Sequence, residues 1–191
     1  NGVFTRKLFV SRPDNLVVLK LSSDEGASIN TTLSLSKIIR HDVGRIKKFN
    51  LDDNFCIKKV ESGTMDNGLY FKAWYERPWE FESRKSFKGY EGVVQVLRSD
   101  GKIEMDSDRL ILRDATDVLI VARIEPSDNM EESRVLEMSN ALKSYDGTYD
   151  ELLAVHKKIH KELFERVSID LDASEEDRMK SSEELLKLGG S

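Results

Sequence analysis

His156 and His160 stand four residues apart in "TYDELLAVHKKIHKELF", the spacing at which two imidazoles on one helix face can share a metal ion. The metalloprotease form of this motif needs a glutamate directly after the first histidine, and Lys157 occupies that place. The chain has three histidines and one cysteine, so a third ligand would have to be His41 or a distant carboxylate. The lone Cys56 excludes an intrachain disulfide and a thiolate zinc site. Its setting in "FCIKKV" suits a small buried apolar residue. The histidine pair therefore reads as packing, with His156 at a helix interface and His160 on its rim, and no metal or cofactor is expected.

Sugar chemistry is the second option. The run "FKAWYERPWEFE" sets Trp74 and Trp79 beside Glu80 and other carboxylates, residue types that stack on sugar rings and hydrogen-bond to hydroxyls. Strand alternation puts Phe71, Ala73 and Tyr75 on one face and Tyr70, Lys72 and Trp74 on the other. Core packing would use one of those sets without any ligand, whereas Trp79, after Pro78 in a loop-like stretch, is less easily assigned to a core. Trp74, Trp79 and Glu80 are the candidate carbohydrate contacts. Carboxylate pairs for glycoside hydrolysis can be drawn from Glu76, Glu80, Asp106 or Asp108, but no positional signature selects one in a chain with 35 acidic residues. No catalytic residue is assigned. Nucleophile-elbow, P-loop and dinucleotide-binding motifs are all absent.

The elements that would carry these residues are mostly strands. "VFTRKLFV", "LVVLKL", "INTTLSLS", "LYFKAWYE", "EGVVQVLR", "RLILR" and "DVLIVARI" are short, rich in β-branched and aromatic residues, and separated by Gly, Asp, Asn or Ser. Many short strands with no helix between them predict an antiparallel β-sandwich or barrel over residues 1–126. Asp100 and Gly101 in "VLRSDGKIEM" predict a tight hairpin that pairs Val93–Leu97 with Lys102–Met105. After Pro126 the texture becomes helical, and residues 127–191 read as linker helices. Thr148 and Glu151 form a T-x-x-E capping box. The helix that follows carries Leu152, His156, Ile159, Leu163 and Phe164 on one side, a face suited to docking another domain. In isolation such a face would also support homo-oligomers.

A formal net charge of −5 with interspersed signs gives no basic stripe for nucleic acid. No run reaches the roughly 18 apolar residues of a membrane span. Neither a nucleic acid nor a membrane is expected as partner, and the compartment is left open.

Three stretches resemble a known family in the same order. They are "FTRKLFVSRPDNLVVLKL", "VVQVLRSDGKIEMDSDRLILRDATDVLIVARI" and "YDELLAVHKKIHKELFERVSIDL", and together they are similar to the amino-terminal region of the family 95 glycoside hydrolases, the inverting α-L-fucosidases and their α-galactoside-cleaving relatives. Arg6, Phe9, Ser11, Pro13 and Asp14 match the family's opening sandwich strands. Leu163, Phe164, Arg166, Val167, Ser168, Asp170 and Leu171 match the end of its helical linker. The resemblance implies a non-catalytic antiparallel β-sandwich of the super-sandwich type and a linker, whose partner is a following catalytic (α/α)-barrel, with carbohydrate as substrate of the parent enzyme. It carries no catalytic residue onto this chain.

Overall fold

A computed structural model of the chain describes residues 2–35, 57–75, 87–168 and 174–188. The strands are β1 Phe4–Ser11, β2 Leu16–Ser23, β3 Ile29–Ser34, β4 Ile57–Met65, β5 Gly68–Tyr75, β6 Gly89–Ser99, β7 Lys102–Asp106, β8 Arg109–Ala115 and β9 Asp117–Ser127. The helices are α1 Val135–Lys143, α2 Tyr149–Phe164, α3 Glu175–Arg178 and α4 Ser182–Leu188. The chain divides into two compact units, Asn1–His156 and Lys157–Ser191.

In the first unit, a six-stranded sheet of order β1-β2-β9-β6-β5-β4 faces a three-stranded sheet of order β3-β8-β7. All the strand pairs are antiparallel. This is the β-sandwich, one of the two antiparallel architectures that the strand pattern allowed. The near-continuous apolar run of β9 is explained by burial on both faces. Val118 and Ile120 join Leu69, Leu110 and Leu112 in the core between the sheets. Leu119 and Val121 join Val18, Val93, Val135, Met138 and Leu142 in a second core beneath the helices.

That second core makes α1 a third layer. Its Val135, Met138 and Leu142 are buried, and it packs on β6 and β9. Each fully buried aliphatic side chain contributes roughly 1.5–3 kcal/mol, so these residues bind the helix to the sheet without need of another domain. Polar anchors fix its C-terminal end. Lys143 Nζ lies 2.7 Å from Asp66 Oδ2 in the β4–β5 turn and holds that carboxyl below its usual value. The Tyr145 hydroxyl donates to Asp14 in the β1–β2 turn, and burial, with Asp14 beside it, pushes the phenol up to about 12.

The hairpin expected at Asp100–Gly101 does not form. β6 already has β5 on one edge and β9 on the other, so no edge is left for β7, which pairs instead with β8, Ile103 opposite Leu112. The segment is a crossover between sheets. Asp100 accepts hydrogen bonds from Thr116 N (2.8 Å), Thr116 Oγ1 (2.5 Å) and Asp117 N (3.0 Å). Gly101 is needed for space, since a Cβ there would sit 2.3 Å from the Arg113 carbonyl oxygen. The two-residue turn with positive φ lies elsewhere, at Asp66 (φ 37°) and Asn67 (φ 60°), closing Met65 onto Gly68.

The donors around Asp100 lower its pKa from 3.8 to about 2. A depressed carboxyl stabilises the fold above its unfolded value, and that contribution is lost as pH falls from about 4 toward 2. Acid unfolding followed by circular dichroism is expected to show a smaller loss of stability across this window in Asp100→Asn than in the parent chain. An identical acid limb in both would contradict it.

The second unit comprises the later turns of α2 with α3 and α4. Glu162–Arg166 (2.6 Å) and Lys161–Glu165 (3.4 Å) ion pairs line the end of α2. Ser174 caps α3 by accepting from Asp177 N. Among the described residues, no helix is long and apolar enough to cross a membrane.

Candidate functional site

The register of β5 places each aromatic of the "LYFKAWY" stretch. Tyr70, Lys72 and Trp74 share the helix-facing side with Val93 and Glu91 of β6, while Leu69, Phe71 and Ala73 face the other way, as alternation requires. Phe71 lies over Gly92 and Tyr70 over Gly63, where an added Cβ would meet the rings at 2.3 and 2.8 Å. These rings fill space that a glycine on the neighbouring strand leaves open. Phe71 and Tyr75 also both approach Tyr90, at 5.4 and 5.9 Å between ring centroids.

Trp74 is half-buried, and Lys59 Nζ stands 4.5 Å above its ring. Glu61 in turn holds that ammonium group at 3.2 Å. One face of the indole is thus engaged by a cation, the kind of contact that stabilises by roughly 0.5–1 kcal/mol at an exposed site. Trp79 and Glu80 lie outside the described residues, as do His41, Cys56 and Glu76. Asp106 and Asp108 are exposed in the β7–β8 turn, where Asp108 pairs with Arg109 at 3.5 Å.

A carboxylate cluster that the sequence reasoning passed over sits one row away from Trp74. Glu91 is paired across strands with Glu125 on one side and Lys72 on the other. It is only 1% exposed. Its two oxygens accept from Ser133 Oγ and Arg134 N, each at 2.8 Å. Glu125 binds Arg123 and Arg134, each at 2.5 Å. Arg134 reaches Glu137 as well. Each oxygen of Glu91 and Glu125 thus has a donor, and the cluster anchors the start of α1 to the sheet. The signal was in the sequence: Glu91 has the inward parity of Val93 in "GYEGVV", and a charge at a core position must be paired.

The helix residues separate into two groups. In the first unit, Leu152 is 5% exposed and belongs to the core beneath the helices. His156 packs its ring 5.4 Å from that of Phe9, and its Nδ1 accepts from Arg12 N at 3.4 Å. In the second unit, Ile159 and Leu163 are half-buried, whereas Phe164 is 72% exposed with His160 stacked on it at 6.1 Å. Among the described residues, no group of three His, Cys, Asp or Glu could hold a metal. Among the described residues of the first unit, an open groove of about 400 Å³ lies between β1 and β3, and another of about 500 Å³ at the β6–β7 crossover beside Arg98 and Asp117.

Comparison with protein families is decisive for the class. The model of the "Glycosyl hydrolase family 65, N-terminal domain" matches residues 1–131. The chain belongs to that family. Those residues cover both sheets of the sandwich. The resemblance to a glycoside hydrolase amino-terminal domain therefore stands at the level of the class, while the matched family is 65 and not 95. The linker pattern Leu163–Leu171, the most specific part of the family 95 resemblance, lies beyond the matched residues. The strand and turn patterns before it follow general sandwich chemistry, such as the Pro-Asp-Asn turn. No curated protein matches the chain. A solved structure provisionally assigned as a kojibiose phosphorylase from the human microbiome aligns at 11% identity with a TM-score of 0.49, covering 85% of this chain and 21% of that one. The chain thus spans about a fifth of that protein's length.

Proposed function

We propose that this chain is the non-catalytic amino-terminal β-sandwich of a carbohydrate-cleaving enzyme and that it carries and orients a catalytic domain. The observation behind this reading is the match of a glycosyl hydrolase N-terminal domain family to residues 1–131. The engagement of each Glu91 and Glu125 oxygen by a structural donor supports it. In this reading the region after His156 leads to the catalytic domain, an (α/α)-barrel by the family 95 resemblance. Ile159, Leu163 and Phe164 supply apolar contact at that junction, and the substrate is an α-linked glycoside. The family 95 resemblance narrows it to terminal fucose or galactose released with inversion, by one carboxylic acid that protonates the leaving oxygen and one carboxylate that activates water. Both groups would belong to the catalytic domain.

The test compares this chain with the parent polypeptide that continues past Ser191. Hydrolysis of nitrophenyl α-L-fucoside and α-galactoside, and cleavage of kojibiose with and without phosphate, would be measured for both. Turnover by the longer polypeptide alone is the expected result. Turnover by the isolated chain would overturn the assignment and return attention to its own carboxylates.

A further inference from the structure

The β4–β5 turn places two demands on adjacent residues. Asp66 and Asn67 both hold positive φ, 37° and 60°, a region in which asparagine and aspartate are the commonest residues after glycine. Gly68 must be glycine for a different reason, since a Cβ there would sit 2.7 Å from the Val94 carbonyl oxygen and 2.8 Å from Gln95 Oε1. The fold therefore sets an asparagine directly before an obligatory glycine. Elsewhere in the sequence this pair occurs only at Asn1 and Gly2, and the other asparagines precede Leu, Thr, Phe, Met or Ala.

Asparagine is among the chemically labile residues, and its lability depends on its successor. The backbone nitrogen of the next residue can close a five-membered ring on the side-chain amide carbon, an approach that a side chain on that residue obstructs. Gly68 offers no obstruction. Asn67 is exposed and borders the open groove at the β6–β7 crossover, so water and base reach it.

We propose that Asn67 is a site of spontaneous deamidation and isoaspartate formation. Base from solvent removes the Gly68 amide proton, and the nitrogen attacks Asn67 Cγ. A C–N bond forms, the Cγ–Nδ2 bond breaks, and Nδ2 takes up a proton and leaves as ammonia. Water then opens the succinimide ring at one of its two carbonyls. The product is either an aspartate or an isoaspartate, whose main chain runs through the former side-chain carbon. Water is the only co-reactant. Gly68 is buried opposite Met65, so the attack follows an opening of the hairpin tip, which costs less than opening the central strands.

The same turn clasps α1. Asp66 holds Lys143 at 2.7 Å, the Asp66 carbonyl accepts from Gln95 Nε2 at 2.9 Å, and the Asn67 carbonyl accepts from Val96 N at 3.1 Å. Isoaspartate takes the Asn67 carbonyl out of the main chain and lengthens that chain by one carbon. The contact to Val96 is then lost and the Asp66 contacts beside it are displaced, which loosens the C-terminal end of α1.

The folded full chain is aged in mildly alkaline buffer, digested with trypsin and compared by mass spectrometry with fresh chain. The peptide of residues 60–72 is expected to gain the mass difference between an amide and an acid and to separate into two products. It should do so faster than any peptide carrying Asn15, Asn30, Asn129 or Asn140. Asn67→Gly suits the positive φ and has no amide to lose. Its peptide should stay unmodified, and its melting temperature should survive ageing while that of the parent chain falls. A parent peptide that keeps its mass, or one that reacts no faster than those of the other four asparagines, would overturn the proposal. A parent chain converted at Asn67 that melts like the fresh one would overturn the link to α1.

Discussion

Glu91→Ala is expected to destabilise the first unit by about 3 kcal/mol, because it leaves the Ser133 hydroxyl and the Arg134 amide without their buried acceptor. Both bonds are 2.8 Å long and Glu91 is almost fully enclosed, so water cannot readily replace the lost oxygens. The effect should concentrate on α1, whose first turn follows directly after Arg134. For a unit of this size, about 3 kcal/mol corresponds to a fall in Tm of roughly 6–12 °C. Glu91→Gln keeps one acceptor oxygen and should lose about half as much. Thermal melts followed by circular dichroism would compare the three proteins. An alanine variant that melts within a degree or so of the parent would show that the carboxylate does not hold the helical layer in place.

Much of this architecture was legible in the sequence, because strand periodicity is local. The alternation of "LYFKAWYE" assigned Trp74 and Phe71 to opposite faces, and the β4–β5–β6 register agrees. The capping box was equally local: Glu151 Oε2 accepts from Thr148 N at 2.7 Å, and Thr148 Oγ1 accepts from Glu151 N at 3.3 Å. Pairing across the chain was not legible. An Asp-Gly step between two strands looks like a hairpin unless one knows that β6 has both edges filled, and only the tertiary fold supplies that. Likewise, the helical texture after Pro126 did not say that the sandwich's own large sheet would cover the first of those helices. Glu91 was missed for a related reason. Hydrolytic carboxylates come in pairs, whereas this one is recognised by its inward parity and by donors that lie 42 and 43 residues away along the chain.

The two ends of α2 should respond in opposite ways to the same substitution, and this separates the fold from the proposed junction. Leu152→Asp places a carboxylate among Leu119, Val121, Met138 and Leu142, the core beneath the helices. Burying a charge without a partner there should cost about 4 kcal/mol or more, a large share of the roughly 5–15 kcal/mol that stabilises a typical domain. Urea titration is expected to show an unfolded or strongly destabilised protein at neutral pH, with part of the loss recovered in acid as the new carboxyl takes up its proton. Phe164→Asp changes a side chain that is 72% exposed, so the isolated chain should keep its stability to within about 0.5 kcal/mol. If Phe164 contacts a catalytic domain, the same change in the parent polypeptide would bury an aspartate against apolar surface and weaken the junction. Limited proteolysis after His156 would then become faster and turnover would fall, while the melting of the sandwich itself stayed the same. A Phe164→Asp parent enzyme with unaltered proteolysis and turnover would remove Phe164 from the junction. A Leu152→Asp chain that folds normally would contradict the packing of α2 on the large sheet.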